Sequence, residues 1–214
     1  FQAAGTLPHG QAGRADFQHM LSHGLPIADR VKQLQQGDTP SMLELKHQFD
    51  GVRLTGQLMG VTHGGLLAYS TETLYPYQLL NHWIRHLTLN LIAPKAVELQ
   101  TQLLERNRAG RFRPVENPQH YLEVLIGHYQ EGYNRPLRFY PATSWSYVEG
   151  LKSGGEEKAM DRAQAKWYGN RGMTGDAQKP YNRLLWPDES FFTRSFESNA
   201  IEILQPLMDH LEWT

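Results

Sequence analysis

The chain has 214 residues, with 21 Lys and Arg against 22 Asp and Glu, for a net charge of −1. That balance excludes a protein that coats nucleic acid through bulk positive charge and leaves room for a local basic patch. The chain contains no Cys, so it has neither disulfides nor thiolate metal sites, which suits a reducing cytoplasm. No apolar run approaches the ~20 residues that cross a bilayer.

Residues Phe1–Gly13 carry neither the basic start nor the apolar centre of a secretion signal and read as a linker arm. The chain opens on Phe1 rather than Met and is read as part of a longer polypeptide. Arg14–Gln36 has apolar residues at helical spacing, interrupted by Gly24 and Pro26, which predicts two short helices or one broken helix. A turn at Gly37–Ser41 closes this lead-in, so residues 1–40 form an arm and helical lead-in to an α/β body at 41–214.

The body opens on strands. "MLELKHQF" alternates, "DG" at Asp50 and Gly51 is a hairpin signal, and "VRLTGQLMGV" follows before "HGG" turns the chain into "LLAYS". The prediction is a three-strand meander from Ser41 to about Ser70. A helix over Tyr75–Leu91 follows, with Leu79, Leu80, Trp83, Ile84, Leu87 and Leu91 on its core face and Gln78, His82, Arg85 and His86 on its polar face. The next segment reads as a hairpin turning at Ala109-Gly110. A helix then starts with Asn117 as N-cap and Pro118 at its first position. "LRFYP" is a candidate final strand. Lys152–Pro180 is Gly-rich and polar, with one short helix over Glu156–Tyr168 between loops, and a helix over Glu189–Leu211 closes the chain. This order predicts a mixed α/β fold with a largely antiparallel sheet.

The charge feature that stands out is "ERNRAGRFRPV". With the turn at Ala109-Gly110, Arg106, Arg108, Arg111 and Arg113 project from one face. Like charges across a ladder repel, so the cluster suits phosphate or an acidic protein surface; the alternative is a solvated loop tip. His82 and His86 sit one helical turn apart but lack the Glu and third ligand of a zinc site, and read as solvated or interface residues. The aromatic run Tyr133–Tyr147 is read as packing, with base stacking as the alternative. "SGG" at Ser153–Gly155 lacks the Gly-Lys-Ser/Thr ending of a phosphate loop, so no nucleotide cofactor is expected.

From Met42 to Trp83 the pattern resembles the core of RecB-type nucleases of the PD-(D/E)xK superfamily, in which a strand G-x-(I/L)-D is followed by a strand ending D-Y-K and a helix with Y-x-x-Q-L. That resemblance implies a restriction-endonuclease-like mixed sheet flanked by helices. It also implies vacated catalytic positions: "GQLM" puts Met59 where the Asp would stand, and "LLAYS" puts Ala68 and Ser70 where the acid and Lys would stand, while "YPYQLL" keeps Gln78 and Leu79. Magnesium needs hard oxygen ligands, so no metal is expected there. An alternative relocates the acids, with Glu44 or Glu72 holding a metal beside His47 or His63.

A wider resemblance runs through "GTLPHGQAG", "ADRV", "SMLELKHQFDGVRLTGQL", "GGLLAYS", "LNHWIRHL", "HYLEVLIGHYQEGYNRPL" and "RLLWPDE". These segments are similar to the C-terminal domain family of RecC, the gamma subunit of exodeoxyribonuclease V. The resemblance implies a nuclease-like domain without nuclease activity. It implies RecB and RecD as partner subunits, a role in holding or splitting duplex DNA, and a cytoplasmic location without membrane contact.

Overall fold

A computed structural model describes residues 5, 7–35, 37–170, 172–186 and 191–214. The first helix, α1 (Gln11–Gln35), runs unbroken through Gly24 and Pro26. This differs from the expected break, although Pro26 costs one backbone hydrogen bond. Along α1 only Gly13 and Ile27 are buried, so most of the helix lies on the surface.

The meander forms as the alternation predicts: β1 (Ser41–Phe49), β2 (Val52–Thr62) and β3 (Gly65–Tyr69). Asp50-Gly51 closes the first hairpin between Phe49 and Val52, with Gly51 at φ +70. The pairing has one irregularity. The β1–β2 pairing shifts between Ser41↔Val61 and Met42↔Met59, leaving Gly60, at φ +81, as an extra residue. A bulge reverses which side chains face inward. Leu58 and Val61 are therefore both buried, and Met59 is 53% exposed.

The chain then crosses over through α2 (Pro76–Ile92) to β4 (Thr101–Leu104), which pairs parallel to β3. β5 (Ala109–Phe112) returns antiparallel. Two helices follow, α3 (Pro118–Asn134) and α4 (Pro141–Tyr168). Asn117 caps α3 by accepting the His120 amide hydrogen, as its position predicts. "LRFYP" is not a strand but the connection between α3 and α4. The expected short helix at Glu156–Tyr168 is the second half of α4, which folds back on the first half at Gly154–Gly155, with Gly155 at φ +81. A Cβ on Gly150 would lie 2.4 Å from the Cα of Ala159, so the two halves meet backbone to backbone.

A two-strand ribbon, β6 (Gly169–Asn170) with β7 (Met173–Thr174), leads to a short helix α5 (Pro180–Leu185). The start of the predicted C-terminal helix, at Glu189, and part of "RLLWPDE" lie outside the described residues. α6 (Arg194–His210) carries Pro206 within it and ends in β8 (Leu211–Trp213). β8 pairs with β5, giving a six-strand mixed sheet in the order β1-β2-β3-β4-β5-β8.

The main core joins Ala68, Leu103 and Phe112 of the sheet to Leu79, Trp83 and Leu87 of α2, with Tyr147 and Val148 of α4 and Phe196, Leu204 and Leu207 of α6. A second cluster holds Leu58, Val61, Leu66 and Leu89. α2 is thus the central helix, and its last turns are buried on every side, at Leu87, Thr88, Leu89 and Asn90. Two expectations for α2 fail. Ile84 is 41% exposed rather than part of the seam, and His86 is fully buried rather than on a polar face. Among the described residues no helix is long and apolar enough to cross a membrane.

Candidate functional site

The junction between β3 and α2 is held by neighbouring strands. The Ser70 amide donates to the Leu104 carbonyl, and the Leu74 amide donates to Glu105 Oε1 at 2.8 Å. Ser70 Oγ accepts the Glu72 amide. Gln78 reaches back to accept the Tyr75 amide at 2.9 Å, capping the first turn of α2. The four-residue spacing of "YPYQ" therefore has a local structural use.

The three positions read as vacated have different surroundings. Ala68 is 5% exposed and belongs to the core, and Ser70 is spent on the loop. Met59 faces solvent because of the Gly60 bulge. What comes to Met59 is a cation: Arg85 of α2 donates to the Met59 carbonyl at 2.6 Å. Sequence reasoning placed Arg85 on the polar face of α2 and gave it no role; the glycine that bulges β2 was the available signal.

Two of the residues offered as a relocated metal site have other partners. Glu44 is bound by Lys46 at 2.9 Å, and His63 is bound by Asp38 at 3.1 Å. Among the described residues no group of three or more His, Asp or Glu is placed to hold a metal ion. A buried carboxylate that the sequence did not single out, Glu105, is tied to the junction. It is 3% exposed, pairs with Arg108 at 2.7 Å and accepts the Leu74 amide. Both of its oxygens are thereby occupied.

The arginine hairpin is corrected in its turn. Leu104 pairs with Ala109, and the Glu105 amide donates to the Arg108 carbonyl. The turn is therefore at Arg106-Asn107, not at Ala109-Gly110. Gly110 is needed for another reason: a Cβ there would lie 2.5 Å from the Glu212 carbonyl oxygen and 2.6 Å from the Trp213 ring. The four Arg therefore do not project together from one face, and Arg111 stands opposite Gln102. Arg108 lies over the Trp213 ring, 3.6 Å from its centre, whereas Arg111 and Arg113 both bind Glu212 at 2.9 Å. Successive strand residues point to opposite faces, so Trp213 and Glu212 separate Arg108 from Arg111 and Arg113. Arg106 donates to His23 Nε2 of α1 at 2.6 Å. Desolvation, then the charge of Arg106, hold the His23 pKa below its ordinary value, which keeps the ring a neutral acceptor. Among the described residues Arg106 has no carboxylate partner.

His82 and His86 do not form a metal pair. His86 Nε2 meets the Arg113 carbonyl at 2.9 Å and Nδ1 meets the Thr101 hydroxyl at 3.0 Å. The carbonyl must accept, so Nε2 carries the proton and Nδ1 accepts from Thr101. Burial pushes the His86 pKa down to about 4, against the hydrogen bond to Arg113, which acts to raise it. His82 is half-buried, and its pKa is lowered by burial first and then by Arg85.

A family model described as the RecC C-terminal domain matches residues 1–152. Among curated proteins, the RecBCD enzyme subunit RecC of Escherichia coli (strain K12) is 27% identical over 198 residues, which cover 87% of this chain and 17% of that protein. The chain thus spans less than a fifth of the length of this relative.

Proposed function

This chain belongs to the RecC C-terminal domain family, and from that premise we propose that it is the non-catalytic, nuclease-like domain of a RecC subunit of exodeoxyribonuclease V. It scaffolds the assembly with RecB and RecD and helps hold or split duplex DNA ends during double-strand break repair by recombination. The fold read here is that of the PD-(D/E)xK superfamily, with residues 41–214 as the nuclease-like body and residues 1–40 as its lead-in. The observation that carries the non-catalytic reading is the occupation of the β3–α2 junction. Ala68 is packed, Ser70 binds the loop, and Glu105 is committed to Arg108 and Leu74. Among the described residues no group of three or more His, Asp or Glu is placed to supply the oxygen ligands Mg²⁺ needs. DNA contact is assigned to the Arg106-Asn107 turn, with Arg108, Arg111 and Arg113 as its buttress.

The test is calorimetry of the chain with Mg²⁺ and Mn²⁺, beside a salt titration of DNA-end binding by the assembled complex. No one-to-one metal isotherm is expected, and DNA binding should weaken with salt as phosphate contacts release counterions. A metal isotherm abolished by Glu105→Ala or Glu72→Ala would restore an active nuclease. The pairing of Arg111 and Arg113 with Glu212 favours a second reading, a module that docks protein and touches no DNA. A quadruple Arg→Gln variant of Arg106, Arg108, Arg111 and Arg113 that assembles, yet binds DNA ends with the wild-type salt slope, supports that second reading.

A further inference from the structure

Arg85 stands apart from the surface cations. It is half-buried, it donates to the neutral Met59 carbonyl, and among the described residues it has no carboxylate partner. A guanidinium has five N–H donors, and the Met59 contact occupies one of its two terminal nitrogens. A partly desolvated cation without an anion is costly, and the fork geometry suits phosphate better than a carbonyl. His82 lies one turn earlier on the same side of α2, half-buried and close enough for Arg85 to shift its pKa. The Gly60 bulge completes the arrangement. It turns the Met59 side chain outward, 53% exposed, and leaves the Met59 carbonyl on Arg85. The carbonyl holds the guanidinium without neutralising it.

We propose that Arg85, with His82 beside it and Met59 at its rim, is a phosphate-binding position for the DNA backbone, separate from the Arg106 turn. The inference rests on the reading that this domain lies against duplex DNA. In that setting the fixed charge of Arg85 contacts a backbone oxygen and performs no chemistry on it. The contact positions the duplex and carries no sequence information.

The experiment uses the complete subunit assembled with its partner subunits and a fluorescent blunt-ended duplex, titrated between 50 and 200 mM salt. Loss of one phosphate contact flattens the log–log slope by about 0.9, so the affinity ratio between those two salt concentrations should shrink about 3.5-fold in Arg85→Gln. Arg85→Lys, which keeps the charge, should keep most of the slope. If Arg85→Gln retains the wild-type slope while Arg106→Gln loses its share, the Arg85 site is overturned and the DNA-guide reading stands. If both keep the wild-type slope, the two fall together. Should Arg85→Gln fail to fold or assemble, a photo-crosslinking residue in place of the exposed Met59, with Arg85 intact, decides. Crosslinking to DNA supports the site, and crosslinking to protein alone or to nothing overturns it.

Discussion

Single residues set the internal chemistry of α2. Trp83 is 1% exposed and meets the rings of His210, Phe112 and His86 at 5.3 to 5.5 Å. Trp83→Ala should therefore cost ~3–5 kcal/mol, read as a shift in the urea midpoint. His86 makes a prediction about pH. Its folded pKa, pushed down to about 4 by burial, lies below the ordinary unfolded value near 6.5. The unfolded chain thus takes up a proton on this ring that the folded chain refuses. Stability is whole above pH 6.5 and falls as pH drops toward 4, by up to about 3 kcal/mol. His86→Gln should start less stable at pH 7 and lose less between pH 7 and 4.5; urea titrations at both values check it. Trp83 was legible in the sequence because helical spacing marks a core face. His86 was not, because periodicity assumes one buried face, and the last turns of α2 are buried all round. Its partners, Thr101 and the Arg113 carbonyl, lie far along the chain.

Whole elements show where local signals serve and where they mislead. The β1–β2 hairpin was legible because Asp50-Gly51 favours a tight turn whatever surrounds it. The β4–β5 hairpin was misread because Ala109-Gly110 resembles a turn, while register comes from the sheet. Glu105 and Arg108 close that turn through both backbone and side chains. Gly110 makes room for β8, a strand about a hundred residues later that no local pattern announces. Gly110→Ala should push β8 off the sheet edge, since the added carbon would sit 2.5 Å from the Glu212 carbonyl oxygen. The expected cost is about 1–3 kcal/mol, with faster amide exchange confined to Leu211–Trp213 and its β5 partners. Uniform exchange across the sheet would show that β8 tolerates the carbon. The Lys152–Pro180 segment was misread only at its start, since its helix over Glu156–Tyr168 is present. Its glycines suggested loops, but Gly154 and Gly155 turn one helix onto itself and Gly150 lets the halves touch.

For the molecule as a whole, the arginine hairpin divides into one available charge and three engaged ones. Arg108 is neutralised by a buried carboxylate, and Arg111 and Arg113 share the carboxylate of Glu212. Among the described residues Arg106 hydrogen-bonds a neutral imidazole and has no carboxylate partner. A sequence of net charge −1 therefore presents positive potential at chosen points rather than over a surface. A phosphate contact through an engaged arginine must first weaken an ion pair, whereas a contact through Arg106 need not. In the assembled complex, Arg106→Gln should flatten the salt slope of DNA-end binding by up to about one unit. Arg108→Gln should change the slope less and stability more, because it leaves Glu105 buried without its cation. The paired change at Arg111 and Arg113 should loosen β8, seen as exchange at Leu211–Trp213, before it alters the slope. The opposite ranking, with the largest slope change at Arg111 and Arg113, would mean that Glu212 gives way on binding and that the duplex lies across the β5–β8 edge rather than at the turn.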